Sequence, residues 1–132
     1  MGDIVEEIKN AKTIVVKVGT STITHNNGTI NLYVVERLIR VLSDLRNEDK
    51  DIVLVTSGAI GVGCSRLKLS KKPDSLPEKQ ALAAIGQINL MHIYSKLLNE
   101  YGQIASQVLL TKDVIDDEQR RTNAVNTFNT LF

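Results

Sequence analysis

Two short apolar segments that each end in glycine and small hydroxyl residues most strongly constrain how this chain can fold. Residues 13–21 read TIVVKVGTS, and residues 52–59 read IVLVTSGA. Each segment begins with a β-branched apolar run, which is the pattern of a strand buried on both faces. Ligands of open parallel sheets bind outside the carboxyl ends of the strands. The two segments therefore predict an α/β fold with a ligand site where both strands end.

The end of the first segment has the residue types that bind phosphate. Lys17 stands beside Gly19, which lets the backbone approach a ligand closely, and Thr20 and Ser21 add N–H and O–H donors. A lysine there would hold a phosphate as a point charge and counter the charge on a phosphoryl group in transfer. The pattern alone leaves an alternative open, in which the Lys17 ammonium only reaches solvent.

The end of the second segment is typical of an anion-binding turn. Ser57, Gly58 and Ala59 follow the strand and open a predicted helix over residues 59–67. The free N–H groups and the dipole of a helix N-terminus attract carboxylates and phosphates. The alternative is a plain N-cap serine followed by a permissive glycine. The matching end at Lys17 favours a site for an anionic, phosphate-bearing ligand.

The remaining pattern predicts the element order βαβααβα. Asn31 is expected to cap a helix over residues 32–46, and residues 22–29 are expected to form a polar loop. Ser75 and Glu78 form a capping-box pattern ahead of a long helix that runs to about Tyr101. Gly102 supplies the stop. The residues expected on the buried side of that helix are Ala81, Ala84, Ile85, Ile88, Met91 and Leu98.

The last third of the chain is predicted to hold one more strand and one more helix. Residues 104–110 read as the third strand, and Asp116 or Asp117 is expected to start the final helix. Its apolar face comprises Ala124, Val125, Phe128 and Leu131. Within the long helix, Gly86 predicts close packing against another backbone or a ligand, because an interior glycine costs about 1 kcal/mol relative to alanine.

Composition excludes several classes of function. Sixteen basic and fifteen acidic residues leave a net charge of +1, so no overall field favours nucleic acid or an anionic membrane. One cysteine excludes an intrachain disulfide, and no signal peptide or membrane-length apolar run occurs, which predicts a cytoplasmic protein. The P-loop motif is absent, and two scattered histidines with Cys64 form no metal-ligand pattern.

Four motifs together resemble the N-terminal part of the glutamate 5-kinase family of the amino acid kinase superfamily. They are VKVGTS at 16–21, VTSGAI at 55–60, AAIGQ at 83–87 and LLT at 109–111, and the match runs from residue 13 to residue 132. The lysine followed by x-Gly-Thr-Ser favours this branch over relatives that have a Gly-Gly pair in the first loop.

This resemblance implies a three-layer α/β/α sandwich with a mainly parallel sheet. It also implies ATP-dependent phosphorylation of the L-glutamate γ-carboxylate, the first step of proline biosynthesis, with ATP and Mg²⁺ as cofactors and a homo-oligomer when full-length. Lys17 would be catalytic and would contact the ATP phosphates together with Gly19, Thr20 and Ser21. Ser57, Gly58 and Ala59 would bind the substrate. No metal-ligating residue is implied.

The resemblance also sets an expectation about length. Residues 1–132 are expected to be the glutamate-binding part of the kinase domain, with the ATP-binding C-terminal lobe absent. Such a chain is expected to be inactive alone and to leave a sheet face and edge exposed. Two alternatives stay open: another small-molecule kinase of the same superfamily, and a non-catalytic ligand-binding module that kept the loops.

Overall fold

The computed structural model describes residues 2–132. Helices and strands alternate through the first half, and helices dominate the second. In chain order the elements are α1 (Gly2–Asn10), β1 (Thr13–Val18), α2 (Thr20–Ile23), α3 (Leu32–Asn47), β2 (Asp51–Thr56), α4 (Ala59–Arg66), α5 (Leu76–Glu100), α6 (Lys112–Asp116) and α7 (Glu118–Leu131).

The two predicted strands pair in parallel, which confirms the α/β class. Their register begins with Thr13 opposite Asp51 and ends with Val18 opposite Thr56, so the two strands stop level with each other. Helix α3 connects them, as a parallel pair requires. Asn31 caps this helix as predicted, because its side chain accepts a hydrogen bond from the Val34 amide.

The hydrophobic core lies on one face of this sheet. Seven buried residues form it: Val18, Ile23, Val35, Ile39, Val62, Leu90 and Tyr94. Val16 and Leu54 pack against this cluster from the two strands. On the opposite face of the pleat Val15 is 62% exposed and Val55 is 46% exposed. The expected exposure of a sheet face is therefore present in the described chain.

Helices α4 and α5 cross so closely that only glycine fits at two positions. A Cβ on Gly86 would lie 1.7 Å from the Ala59 carbonyl oxygen, and a Cβ on Gly63 would lie 2.1 Å from that of Leu82. Both separations are far below van der Waals contact. The close packing predicted for Gly86 is confirmed, and its neighbour is the backbone of α4.

This crossing also corrects the predicted buried side of α5. The buried positions are Leu82, Gly86, Leu90 and Tyr94. Of the side predicted to be buried, Met91 and Leu98 are half-buried, whereas Ala81, Ala84, Ile85 and Ile88 are exposed. The prediction followed a stripe of apolar side chains and left out Gly86. The helix instead turns its Gly86 face inward, because only there can the α4 backbone approach.

The predicted third strand is wrong in this structure. Residues 104–110 form no regular element, and in the described chain they make no backbone hydrogen bond to either strand. Ile104 is 99% exposed. A strand requires a partner that accepts and donates along its edge, and the local β-propensity of the segment does not supply one.

Other predictions differ in detail. The ends of α5 are confirmed: the Glu78 amide donates to Ser75 Oγ at 3.4 Å, and Gly102 adopts a φ of 69°. The Asp117 side chain caps α7 as predicted. The predicted loop over 22–29 is wrong at its start, because α2 includes residues up to Ile23. Helices α1 and α6 were not predicted.

Among residues 2–132, no helix has both the length and the apolar character needed to cross a membrane.

Candidate functional site

The two glycine-containing segments meet at one edge of the sheet. We call residues 17–21 the Lys17 loop and residues 57–59 the Ser57 turn. The Ser57 amide donates to the Val18 carbonyl oxygen at 3.3 Å, one step beyond the last strand pair, Val18 and Thr56. Both segments therefore leave the carboxyl ends of the strands side by side, in the position where parallel sheets bind ligands.

The Lys17 side chain is exposed on the sheet face away from the core. Its Nζ lies 4.0 Å from the position that a Cβ would take on Gly19, so the ammonium group stands over the glycine of its own loop. Within residues 2–132, no carboxylate lies within ion-pair distance of it. The positive charge is therefore free to bind an anion at this edge.

The side chain of Thr20, in the Lys17 loop, packs against Gly58 of the Ser57 turn and Gly61 of α4. A Cβ on Gly58 would be 3.2 Å from Thr20 Oγ1, and a Cβ on Gly61 would be 3.3 Å from Thr20 Cγ2. The threonine side chain therefore fills the space that is open because Gly58, the N-cap residue of α4, and Gly61, within α4, have no side chains. Gly58 also has a φ of 112°, a left-handed conformation that glycine adopts without strain.

The Ser57 turn leads directly into α4. Gly58 is the N-cap residue, and its carbonyl accepts the Val62 amide at 2.9 Å. The first amides of α4, beginning at Ala59, therefore have no partner within the helix and face the same edge as Ser57. The Ser57 side chain is exposed, and its Oγ lies 3.5 Å from the Val18 carbonyl oxygen. In the Lys17 loop, Gly19 is the N-cap residue of α2, and Ser21 is exposed on that helix.

One residue behind this edge was not predicted from the sequence. The Tyr94 hydroxyl lies 3.0 Å from Thr56 Oγ1, which joins α5 to the last residue of β2. Burial raises the pKa of the Tyr94 hydroxyl, and the hydrogen bond to Thr56 opposes that shift. The signal was the spacing of Gly86, Leu90 and Tyr94 at every fourth residue, which marks one helix face.

The arrangement combines one cation, backbone amides and hydroxyl groups at a single edge. Such a set can bind an anionic ligand at two points and can neutralise charge between them. A metal site built from protein ligands is not found at this edge or elsewhere in the described residues. They include no group of three histidine, cysteine, aspartate or glutamate side chains that could hold a metal ion.

Comparison with known proteins relates the chain as a whole to a family. A family model described as "Amino acid kinase family" matches residues 12–132. The chain is 57% identical over 126 residues to a "Glutamate 5-kinase" of Listeria monocytogenes serotype 4b, a match that covers 96% of this chain and 46% of the relative. It is 56% identical over 124 residues to one of Clostridium perfringens, covering 94% of this chain and 46% of that relative.

A third relative has the same name. A "Glutamate 5-kinase" of Clostridium tetani is 54% identical over 126 residues, covering 96% of this chain and 47% of the relative. The chain thus spans slightly less than half the length of the relatives it matches. The two candidate segments, residues 17–21 and 57–59, lie inside the region that the family model matches.

Proposed function

Because the chain belongs to the amino acid kinase family, we propose that it forms the glutamate-binding part of an enzyme that transfers a phosphoryl group from ATP to the γ-carboxylate of L-glutamate. The observation that carries this proposal is the hydrogen bond from the Ser57 amide to Val18, which keeps the Lys17 loop and the Ser57 turn at one edge. Three relatives named glutamate 5-kinase, 54–57% identical to this chain, support the choice of substrate.

The two segments would have different roles in this transfer. A γ-carboxylate oxygen attacks the γ-phosphorus of ATP, the bond from that phosphorus to the bridging oxygen breaks, and ADP leaves with the electron pair. Both reactants are anions, so the protein must mainly position them and offset their charge. We assign Lys17, Gly19, Thr20 and Ser21 to the phosphate, with Lys17 as the catalytic cation. Ser57, Gly58 and Ala59 are assigned to glutamate.

Magnesium would enter this reaction with the nucleotide. Mg²⁺ in nucleotide enzymes keeps several waters and is bound by substrate phosphates together with one or two carboxylates. We assign none of these ligands to this chain. The proposal also takes the full-length protein to be a cytoplasmic homo-oligomer that acts in proline biosynthesis.

A chimeric enzyme tests the proposal. The 126-residue segment of the Listeria monocytogenes relative that matches this chain would be replaced by the corresponding residues of this chain, and the product would be trapped with hydroxylamine, which converts acyl phosphates to hydroxamates. We expect glutamate-dependent hydroxamate and ADP in equal amounts. The 132-residue chain alone is expected to give neither, because it spans slightly less than half the length of the relatives.

The same assay separates the alternatives. A folded chimera that phosphorylates another carboxylate or phosphate, but not glutamate, would favour a different kinase of the family. A folded chimera with no transfer would favour a non-catalytic module, provided that the unmodified Listeria monocytogenes enzyme is active under identical conditions. Either result would contradict the proposed function.

A further inference from the structure

The Thr20 side chain contacts the glycines of the Ser57 turn and of α4. Within the described residues, and apart from chain neighbours, it supplies the three atoms nearest to a Cβ on Gly58 and the atom nearest to a Cβ on Gly61. Its methyl carbon would lie 3.3 Å from a Cβ on Gly58 and 3.3 Å from a Cβ on Gly61. Its hydroxyl oxygen has no hydrogen-bond partner in the described chain and stays available to a ligand. Both groups of the Thr20 side chain lie beside Gly58, the hydroxyl oxygen at 3.2 Å and the methyl carbon at 3.3 Å from a Cβ there, and only the methyl carbon also lies against Gly61.

We propose that Thr20 is a positioning residue whose methyl group, seated against Gly58 and Gly61, fixes the spacing between the Lys17 loop and the Ser57 turn. This inference rests on the proposed function. In that reaction, the spacing of the two segments sets the distance between the two reacting anions. Displacements well below 1 Å change the population of reactive geometries, and errors of about 1 Å can lower rates roughly 100-fold.

The contact between the Thr20 methyl group and Gly61, which we call the seat, leaves too little room for an added methyl group on Gly61. Apart from neighbouring residues of α4 itself, Thr20 Cγ2 is the one atom of the described chain within 4 Å of a Cβ on Gly61. A separation of 3.3 Å is slightly closer than two carbon atoms prefer. In Gly61→Ala, the Thr20 methyl must therefore move by a few tenths of an ångström, and the Lys17 loop moves with it.

The same substitution should not harm the fold. Gly61 is buried inside α4, its φ lies outside the left-handed region, and alanine favours a helix over glycine by about 1 kcal/mol. A purely structural role for the contact thus predicts a protein that is at least as stable and fully active. A positioning role predicts normal stability with slower transfer.

A methyl exchange across the contact forms the central experiment. Thr20→Ser removes the methyl group and keeps the hydroxyl, Gly61→Ala adds a methyl group on the opposite side, and the double variant moves one methyl group from Thr20 to position 61. In the chimera, we expect each single variant to lower kcat about 3- to 10-fold with little change in the KM for glutamate. The double variant should return to within about twofold of the parent, because the seat is filled again.

Thr20→Val is the matched control, because it keeps the seated methyl group and removes the hydroxyl. It should raise the KM for ATP and leave the Ser57 turn in place. Additive losses in the double variant, or an unchanged kcat in Gly61→Ala, would overturn the proposal.

A second measurement does not depend on activity. Hydrogen exchange of the Ser57 amide, which bonds to Val18 across the two segments, should be faster in Thr20→Ser and return to the parent rate in the double variant, in the 132-residue chain itself. Equal exchange rates in all variants would refute the seat. If the parent chimera lacks kinase activity but the exchange pattern holds, the proposed function fails while the seat stands.

Discussion

The hydroxyl oxygens of Thr56 and Tyr94 lie 3.0 Å apart, which joins the carboxyl end of β2 to the C-terminal half of α5. Tyr94 is 4% exposed, so this bond is made away from most solvent. Thr56, the β2 residue of this bond, directly precedes Ser57. The candidate substrate turn therefore has a fixed base on the core side, while its own side chain stays exposed at the site edge.

Removing that bond should lower stability in a manner that depends on pH. In Tyr94→Phe we expect a loss of about 1 kcal/mol in the free energy of unfolding near neutral pH, because a part-buried threonine hydroxyl loses its partner. Burial raises the folded-state pKa of Tyr94 above its ordinary value of 10.0. The stability that the parent gains from the protonated Tyr94 hydroxyl is therefore complete below pH 10. It is lost as the pH rises through the raised pKa.

Urea denaturation at several pH values measures both effects. The difference in unfolding free energy between parent and Tyr94→Phe should be constant below about pH 9 and should change only on the alkaline side. Thr56→Val, which removes the other half of the bond and keeps Tyr94, is the control. A pH-independent difference across the alkaline range would contradict the assigned burial of Tyr94.

Gly86→Ala should severely destabilise the fold. The added methyl group would sit 1.7 Å from the Ala59 carbonyl oxygen and 2.7 Å from the Gly63 nitrogen, so α4 and α5 must separate. We expect a loss of about 3 kcal/mol or more, measured by thermal or urea denaturation. Gly2→Ala is the matched control, because nothing lies within 4 Å of its Cβ position. Similar midpoints for both variants would show that the helices do not cross as described.

Lys17→Met should abolish most of the transfer and leave the fold intact. Lys17 is exposed and has no carboxylate partner within the described residues, so the chain loses no ion pair. In the chimera, loss of the cation should lower kcat about 100-fold or more, with a smaller effect on the KM for glutamate. The exposed Lys72 serves as the control through Lys72→Met. Comparable activity in the two variants would remove Lys17 from the proposed mechanism.

Ser57→Ala should instead weaken the binding of glutamate. A hydrogen bond to a charged group contributes about 1.5–3 kcal/mol, which corresponds to roughly a 10- to 150-fold higher KM for glutamate. Ser57→Ala removes the 3.5 Å contact of Ser57 Oγ with the Val18 carbonyl oxygen but keeps the 3.3 Å backbone bond to the same oxygen, so the turn should keep its place. Ser70→Ala, at an exposed position outside the site, should leave the KM unchanged. An unaltered KM in Ser57→Ala would place the carboxylate elsewhere.

The local elements were largely predictable, because their signals are short-range. Asn31 and Ser75 cap helices where the sequence expected them, since a side-chain cap involves only the next three residues. The two strands were predicted from their β-branched runs. The segment 104–110 has a similar composition and is not a strand, because pairing depends on a neighbour that local sequence does not specify.

The amino-acid sequence by itself determined the helix caps, the parallel strand pair and the edge at which Lys17 and Ser57 lie, because parallel strands of equal length end together. Only the tertiary structure decided which face of α5 is buried and where the Thr20 methyl group rests. Those features depend on how closely two backbones approach, and that distance is set by the packing of Gly63 and Gly86 between α4 and α5.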